Sequence, residues 1–161
     1  MERIAKFEKI SLDRWTKDFH FVNKESVYNN IKMPTRSTAG SAGYDFKAPF
    51  SFTLEPGSTV TIPTGIRCKM EPGWVLMLFP RSGLGFKYRM MLSNSVGIID
   101  SDYYGSDNEG HIMAKVYNGG KEPFCVSAGD GFMQGVFVKF GITEDDSADG
   151  VRNGGFGSTG K

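Results

Sequence analysis

The stretch "STVTIPTGIRCKMEPGWVLMLFP", Ser58–Pro80, decides the fold, because apolar residues recur in it at every second position. Ile66, Cys68 and Met70, for example, are separated by charged side chains. A period of two is that of a β-strand with one buried face. Pro-Gly pairs, which are typical of turns, precede and interrupt the stretch. We therefore predict consecutive short strands joined by tight turns.

The same alternation continues towards the C-terminus. Ile112, Ala114 and Val116 are again spaced by two, and a further alternating run occupies residues 132–138. Many short strands at near-regular intervals indicate a β-sandwich or a β-barrel. The sequence therefore predicts an all-β fold.

The N-terminal extension, residues 1–33, has a different pattern. Residues 4–10 are compatible with one strand, and "NKESVYNNI" predicts one short helix. Val27 and Ile31 lie four residues apart in it, and Asn23 or Ser26 is a suitable N-cap. We expect a single helix in this extension.

The composition changes after Ile142. Residues 143–161, "TEDDSADGVRNGGFGSTGK", are first acidic and then rich in glycine. They contain too few apolar residues to fold on their own. We predict a β domain over residues 1–142 and a flexible, glycine-rich C-terminal tail over residues 143–161.

Composition and charge exclude several classes of protein. The 161 residues are 39% hydrophobic and 23% charged, which suits one packed domain, and the net charge is +1. Scattered Lys and Arg with so little net charge argue against a surface for nucleic acid or membranes. Cys68 and Cys125 are both expected to be small buried residues, and two histidines argue against a zinc site. With no secretory signal recognised, a cytoplasmic protein is expected.

A glycine-flanked segment, "PRSGLGFK", follows the most apolar predicted strand. We expect a strand-to-turn junction in which Gly83 and Gly85 allow positive φ and close approach of the backbone. Arg81, Ser82 and the glycine amides are donors that suit phosphate oxygens. A plain surface turn would explain the same residues.

A carboxylate follows the apolar run of "NSVGIIDSDYYG". Asp100 there either starts a turn or acts as a general base. Of Tyr103 and Tyr104, we expect one to pack on the core and the other to lie against a sugar or base. Phosphate-type loops, a placed carboxylate and an aromatic residue in the tail, Phe156, together indicate a nucleotide ligand.

Five segments, in this order, resemble the motifs of the homotrimeric dUTPase family. They are AGYDF (Ala42–Phe46), PRSGLGFK (Pro80–Lys87), GIIDSDYYG (Gly97–Gly105), GDGFMQ (Gly129–Gln134) and RNGGFGSTG (Arg152–Gly160). One such match alone would be coincidence, whereas five in sequence are highly specific. The resemblance covers residues 33–161, about four-fifths of the chain.

The resemblance implies a jelly-roll-like β-sandwich that forms a homotrimer with shared active sites. Each site would take the second and fourth motifs from one subunit, the third from a neighbour and the tail from the last. The tail would be a mobile lid that places Phe156 on the uracil ring. Stacking contributes about 1–3 kcal/mol, and ordering costs about 1–2 kcal/mol per residue. Contacts to the phosphates must therefore supply most of the remaining free energy needed to order the tail.

The resemblance also implies hydrolysis of dUTP to dUMP and pyrophosphate. Asp100 would be the catalytic base that activates water. Asp45 would act indirectly, through water or by orienting Arg81. Mg²⁺ would be held by the substrate phosphates and water, with no direct protein ligand. Tyr103 would lie beneath the deoxyribose. The implied substrate-binding residues are Arg81, Ser82, Gly83, Asn94, Gly97, Ile98, Ile99, Tyr103, Gln134, Arg152, Phe156, Gly157, Ser158 and Thr159.

Some features depart from the family pattern. Gly131 stands where the fourth motif commonly carries a basic residue, and the fifth motif is one residue shorter after Arg152. Residues 106–111 resemble a small insertion that lengthens a hairpin, and residues 1–33 would brace the subunit interface or bind another protein. Two alternatives stay open: a dCTP deaminase-like enzyme of the same fold, and a nucleotide-sensing regulatory protein that binds a partner.

Overall fold

Short strands dominate the chain. The structure is a computed structural model that describes residues 1–155. The strands are β1 (Ala5–Lys9), β2 (Tyr44–Lys47), β3 (Phe52–Leu54), β4 (Thr59–Pro63), β5 (Ile66–Met70), β6 (Trp74–Pro80), β7 (Met90–Leu92), β8 (Gly97–Ile99), β9 (Met113–Asn118), β10 (Phe124–Val126) and β11 (Gly131–Lys139). The helices are α1 (Leu12–Asp18), α2 (Lys24–Asn29), α3 (Ser82–Tyr88) and one 3₁₀ helix (Ser101–Gly105). The predicted all-β fold is confirmed.

The strands form two larger sheets and two strand pairs. The larger sheets have the orders β2-β11-β6-β8 and β4-β9-β7, and the pairs are β1-β5 and β10-β3. Every pairing between these strands is antiparallel. The longest ladder joins β11 to β6, from Met133 opposite Pro80 to Lys139 opposite Trp74. This ladder places the second and fourth motifs side by side.

The predicted alternation decides which face of β6 is buried. Leu76 and Leu78 are fully buried, whereas Val75, Met77 and Phe79 on the other face are half-buried. Full burial of one such aliphatic side chain stabilises the fold by about 1.5–3 kcal/mol. The half-buried second face keeps apolar surface available for another layer.

The N-terminal extension is part of the core. Its predicted strand is β1, which pairs with β5, and its predicted helix is α2. Asn23 occupies the N-cap position of α2 in the left-handed region (φ 59°), but its side chain makes no capping hydrogen bond. The sequence missed α1, so the expectation of a single helix in this extension was wrong. Seven residues with one apolar side chain facing inward, Trp15, are too short a pattern to detect.

The segment "PRSGLGFK" was predicted as a strand-to-turn junction whose glycines allow positive φ, and the predicted turn was wrong. Residues from Ser82 to Tyr88 form α3, and both of its glycines are helical. Leu84 and Tyr88 pack against the core from the same helical face, four residues apart. This anchorage offsets the weak helix propensity of glycine.

The cysteines differ in environment. Cys68 is buried in β5, and burial raises the pKa of its thiol to about 12. Cys125 is exposed, contrary to prediction, because Phe124 and Val126 take the inward positions of β10. Among residues 1–155, no helix has the length and apolar composition needed to cross a membrane.

Candidate active site

A cavity opens beside the turn that connects β7 to β8. The turn is tight: the Ser95 amide donates to the Leu92 carbonyl at 2.9 Å, and Ser95 has a φ of 66°. Strand β8 then lies against β6, with Gly97 so close that a Cβ on it would be 3.0 Å from the Leu78 side chain. The cavity has a volume of about 350 Å³ and is lined in part by Asn94, Asp100 and Tyr103.

Asp100 lies at the mouth of this cavity, where β8 ends. Its backbone is extended, and the 3₁₀ helix begins at the next residue. The side chain is 42% exposed and accepts a hydrogen bond from Arg152 Nη2 at 2.5 Å. Arg152 Nε donates to Asp102 at 2.8 Å. The beginning of the glycine-rich tail therefore contacts the carboxylate that the sequence singled out.

Tyr103 forms one wall of the cavity. Its ring is 5% exposed, and burial raises the pKa of its hydroxyl. The hydroxyl donates to the His111 carbonyl at 2.8 Å and accepts from Asn108 Nδ2 at 2.7 Å. Gly155 of the tail is so close that a Cβ on it would be 2.7 Å from the Tyr103 ring. Of the two tyrosines, Tyr103 is therefore the one that lies in the cavity.

Arg81 organises a second, separate cleft. Its guanidinium contacts Asp45 Oδ1 at 3.4 Å and donates to the Gly131 carbonyl at 3.3 Å. Asp45 also accepts from the Ser37 hydroxyl at 3.2 Å. The cleft, about 460 Å³ in volume, is lined in part by Ser82 and Gly83 at the start of α3. The N–H groups in the first turn of a helix have no intrahelical acceptor, so they are available to an anion.

Gln134 lies behind this cleft on β11. It is paired with Asp45 of β2 in the ladder, and its Nε2 is 3.5 Å from the Pro80 carbonyl. Gly43 of the first motif passes beneath it, where a Cβ would be 2.5 Å from Gln134 Oε1. The first, second and fourth motifs are thus brought together by β2, β11 and β6.

Asp100 and Arg81 are far apart within one chain. The register of β6 with β8 pairs Leu76 with Ile99, which puts Asp100 level with Val75. Arg81 lies six residues further along, about 20 Å at the usual rise of a strand. Its side chain also turns towards Gly131 and Asp45, on the side of β6 opposite to β8. The carboxylate and the phosphate-type loop therefore do not share a site within a single chain.

Comparison with known proteins identifies the family. The dUTPase family model matches residues 29–160. The deoxyuridine 5'-triphosphate nucleotidohydrolase of Lactococcus lactis is 42% identical over 133 residues, covering 81% of this chain and 89% of that protein. The Haemophilus influenzae protein of the same name is 42% identical over 143 residues, covering 84% and 91%. The chain belongs to the dUTPase family.

Solved structures agree. The dUTPase of Streptococcus mutans is 37% identical, with a TM-score of 0.67, covering 86% of this chain and 98% of that one. A mutant dUTPase from phage phi11 of Staphylococcus aureus is 18% identical, with a TM-score of 0.66, covering 92% and 98%. The predicted resemblance and the jelly-roll-like β fold are confirmed. The family match begins at residue 29, so α1 and most of α2 lie outside it.

The family motifs fall into two groups in this chain. The second and fourth motifs line the Arg81 cleft, and the third motif lines the cavity with Asp100. Ile98 of the third motif is 53% exposed, whereas Gly97 is buried. Phe156, Gly157, Ser158 and Thr159 were also predicted to bind substrate, and they lie outside the described residues.

The side chains of the described residues offer no dedicated site for the magnesium expected of the family. Residues 1–155 contain no group of three or more His, Cys, Asp and Glu side chains able to hold a metal ion. The one carboxylate among the lining residues of the Arg81 cleft, Asp130, is exposed, and Asp45 beside the cleft already contacts Arg81 and Ser37. These residues fit an ion that arrives with the nucleotide, because Mg²⁺ is often held mainly by substrate phosphates and water.

Sequence reasoning missed the residues that hold Tyr103 in place. Asn108 and His111 belong to the segment resembling an insertion, and neither was given a role. Within the same segment Glu109 accepts from Ser11, and His111 contacts Asp18, so both partners lie in the N-terminal extension, more than 90 residues earlier in the chain. No local pattern reveals contacts over such a separation.

Proposed function

We propose that this chain hydrolyses dUTP to dUMP and pyrophosphate, with Asp100 as the general base. The observation that carries the proposal is the position of Asp100, at the mouth of a cavity built from the β7–β8 turn, strand β8 and one tyrosine wall. Membership of the dUTPase family supplies the substrate.

Uracil enters the cavity beside the β7–β8 turn. Asn94 and the backbone of residues 97–100 line it and offer hydrogen-bonding groups to the edge of the base. Cytosine reverses two of the groups on that edge and leaves buried partners unpaired, at a cost of about 1–3 kcal/mol each. The close packing of Gly97 on Leu78 keeps this wall rigid.

The deoxyribose lies on Tyr103. Because the ring is buried and its hydroxyl has two partners, the wall keeps its position when the nucleotide enters. A fixed wall excludes a 2′-hydroxyl, which is how the enzyme rejects UTP.

The phosphates bind to the Arg81 cleft of a neighbouring copy. Arg81, Ser82 and Gly83, supported by Gln134, offer donors to the phosphate oxygens. The separation of about 20 Å between Arg81 and Asp100 along β6 is far longer than the hydrogen bonds of about 3 Å by which Arg81 would hold the phosphates and Asp100 the attacking water. This separation supports a closed assembly of three copies, in which the two groups meet across an interface.

Asp100 accepts a proton from water while the water oxygen attacks the α-phosphorus. The bond from that phosphorus to the bridging oxygen breaks at the same centre, and pyrophosphate leaves with the electron pair. Before substrate binds, the Arg152 guanidinium donates a hydrogen bond to the Asp100 carboxylate. Phosphate oxygens draw the guanidinium away and leave the carboxylate free to act as a base.

Magnesium supplies neutralisation of the charge on the triphosphate when it is bound. The dUTPase of phage phi11 coordinates a structural Mg(II) ion, so a protein of this fold accommodates the metal. In this chain, Arg81 and the N–H groups at the start of α3 hold the same phosphates. The fifth motif assigns Phe156, Gly157, Ser158 and Thr159 to the same substrate site.

Phosphorus NMR with dUTP, dTTP, dCTP and UTP in the presence of Mg²⁺ tests the proposal. We expect pyrophosphate from dUTP and little from the other three nucleotides. Asp100→Asn should lower kcat by about 10²–10⁴-fold while dUTP still binds. Its matched control is Asp102→Asn, which removes a neighbouring carboxylate that also contacts Arg152 and should cost less than about tenfold. Ammonia from dCTP, or full turnover by Asp100→Asn, contradicts the proposal.

A further inference from the structure

We propose that Asp18 and Glu109 are positioning residues for Tyr103, and that through it they set the discrimination between deoxyribose and ribose. The inference rests on the proposed function, because it assigns the sugar to Tyr103. It gives the N-terminal extension a role in substrate choice.

Tyr103 is held by the segment that follows it, residues 106–111. Asn108 donates to the Tyr103 hydroxyl, and the His111 carbonyl accepts from it. Both distances are below 3 Å, at 2.7 and 2.8 Å. Any movement of residues 108–111 therefore moves the tyrosine hydroxyl.

This segment is tightly wound and has little freedom of its own. Glu109 and Gly110 both have positive φ, 60° and 68°. A Cβ on Gly110 would be 2.7 Å from the Tyr103 carbonyl oxygen. A left-handed conformation at Glu109, which is not glycine, persists only where surrounding contacts enforce it.

Helix α1 supplies those contacts, from both of its ends. At its start, the backbone amide and hydroxyl of Ser11 donate to the Glu109 carboxylate at 2.7 and 2.6 Å. At its end, Asp18 lies 2.6 Å from His111 Nδ1. The helix therefore holds the segment at two points. Burial alone would raise the pKa of Glu109, but the hydrogen bonds from Ser11 hold it below its ordinary value.

The His111 contact has a defined direction. The backbone amide of Gly65 donates to His111 Nε2 at 2.9 Å, so that nitrogen is the acceptor. The proton of the neutral ring is then on Nδ1 and is donated to Asp18. Arg14 donates to Asp18 from the same helix and keeps the carboxylate in place. His111 has no exposed surface, so its ring and backbone move as one unit.

Trp15 fixes the helix itself. It is fully buried, stacks on Phe19 with ring centroids 4.5 Å apart, and donates from Nε1 to the Lys24 carbonyl at 2.9 Å. Helix α1, which is anchored in the core, thus holds His111 and Glu109, and their segment in turn holds Tyr103 at the wall of the sugar cavity. A loosened wall would admit a 2′-hydroxyl before it impaired binding of the deoxyribose.

The test is the ratio of kcat/KM for dUTP to kcat/KM for UTP. Asp18→Ala and Glu109→Ala should each lower this ratio by about tenfold, because small displacements in a site change selectivity strongly. Glu109→Gln keeps an oxygen acceptor for Ser11 and should restore most of the ratio. Lys17→Met removes only an exposed ion pair with Asp13 on the same helix, so it should leave the ratio at the wild-type value.

The ratio distinguishes a positioning role from partial unfolding. Partial unfolding lowers both kcat/KM values in parallel and leaves their ratio unchanged. Unchanged ratios in both alanine variants therefore overturn the inference while the proposed function stands. Glu109→Ala serves if Asp18→Ala does not fold, because its carboxylate lies at the surface contact with Ser11. If the wild-type chain turns over neither nucleotide, the proposed function fails and the inference falls with it.

Discussion

At Gly131 the backbone of β11 passes directly beneath the Arg81 guanidinium. A Cβ at this position would be 2.9 Å from Arg81 Nη1 and 3.0 Å from its Cδ. The carbonyl of the same residue accepts from Arg81 at 3.3 Å. The glycine that departs from the family motif thus leaves room for the arginine that faces the phosphates.

Gly131→Ala should therefore displace Arg81 with little loss of stability. The clashing atoms belong to the end of a flexible side chain that is 44% exposed. We expect KM for dUTP to rise about tenfold, as for a weakened charged hydrogen bond, with kcat and Tm nearly unchanged. Steady-state kinetics and thermal denaturation measure both quantities.

Gly135→Ala is the matched control on the same strand. Its added Cβ would meet buried core atoms, Leu76 Cδ1 at 2.8 Å and Phe46 Cε2 at 3.0 Å. Overpacking of this kind costs about 1–3 kcal/mol, so Tm should fall while KM stays close to wild type. If Gly131→Ala lowers Tm as much as Gly135→Ala does, the Arg81 side chain does not move aside to make room for the added Cβ.

Among the secondary-structure elements, strands were predictable and the shortest helices were not. The alternation around β5 and β6 reports burial on one face directly. Helix α1 has a single inward apolar residue, Trp15, and α3 contains two glycines. Both form because tertiary packing outweighs local propensity. The five family motifs were equally visible, but the separation of Asp100 from Arg81 follows from strand register, which no local pattern encodes.

The contact between α1 and His111 makes stability depend on pH. Burial lowers the pKa of His111, against the opposing effect of Asp18. Burial would raise the pKa of Asp18, but hydrogen bonds from Arg14 and His111 hold it below its usual value. Two further charged groups act on this histidine: Arg14 lowers its pKa and Glu109 raises it. Both shifts point to loss of stability in acid.

The histidine accounts for the first part of that loss. Its folded pKa is lowered, so the unfolded chain binds a proton below the ordinary value of about 6.5 while the folded chain does not. Stability is complete above pH ~6.5 and falls as pH drops towards the lowered pKa, by at most about 1.4 kcal/mol per pH unit. Asp18 adds its own loss only below about pH 4.

Thermal denaturation between pH 7.5 and 5 tests this assignment. Wild-type Tm should fall as pH drops below 6.5. His111→Gln should start from a lower Tm and show a flatter dependence on pH, because the titrating group is gone. His20→Gln removes the other, exposed histidine and should keep the wild-type slope. A wild-type slope in His111→Gln would assign the acid sensitivity to another group.

The surface of the whole molecule indicates that one copy is incomplete. Several large apolar side chains are exposed on the single chain, among them Phe86, Ile98, Phe140 and Ile142. Exposed apolar surface of this kind marks places where another protein packs. Ile98 belongs to the third motif and Phe86 to the second, so association would cover the surface beside both halves of the site.

Mixing two inactive variants distinguishes a shared site from a site within one chain. Asp100→Asn and Arg81→Ala should each be nearly inactive alone. If one copy supplies Asp100 and another supplies Arg81, co-expression of the two variants in equal amounts produces intact sites. The copy that supplies Asp100 carries an intact Asp100 in about half the sites, and the copy that supplies Arg81 carries an intact Arg81 in about half. About a quarter of the wild-type turnover should therefore return.

Co-expression of Asp100→Asn with a double variant that carries both substitutions is the control and should recover none, because no copy then supplies Asp100. A mixture that remains as inactive as its parts would place the whole reaction within one chain, against the 20 Å separation along β6 (about six residues of strand) on which the proposed assembly depends.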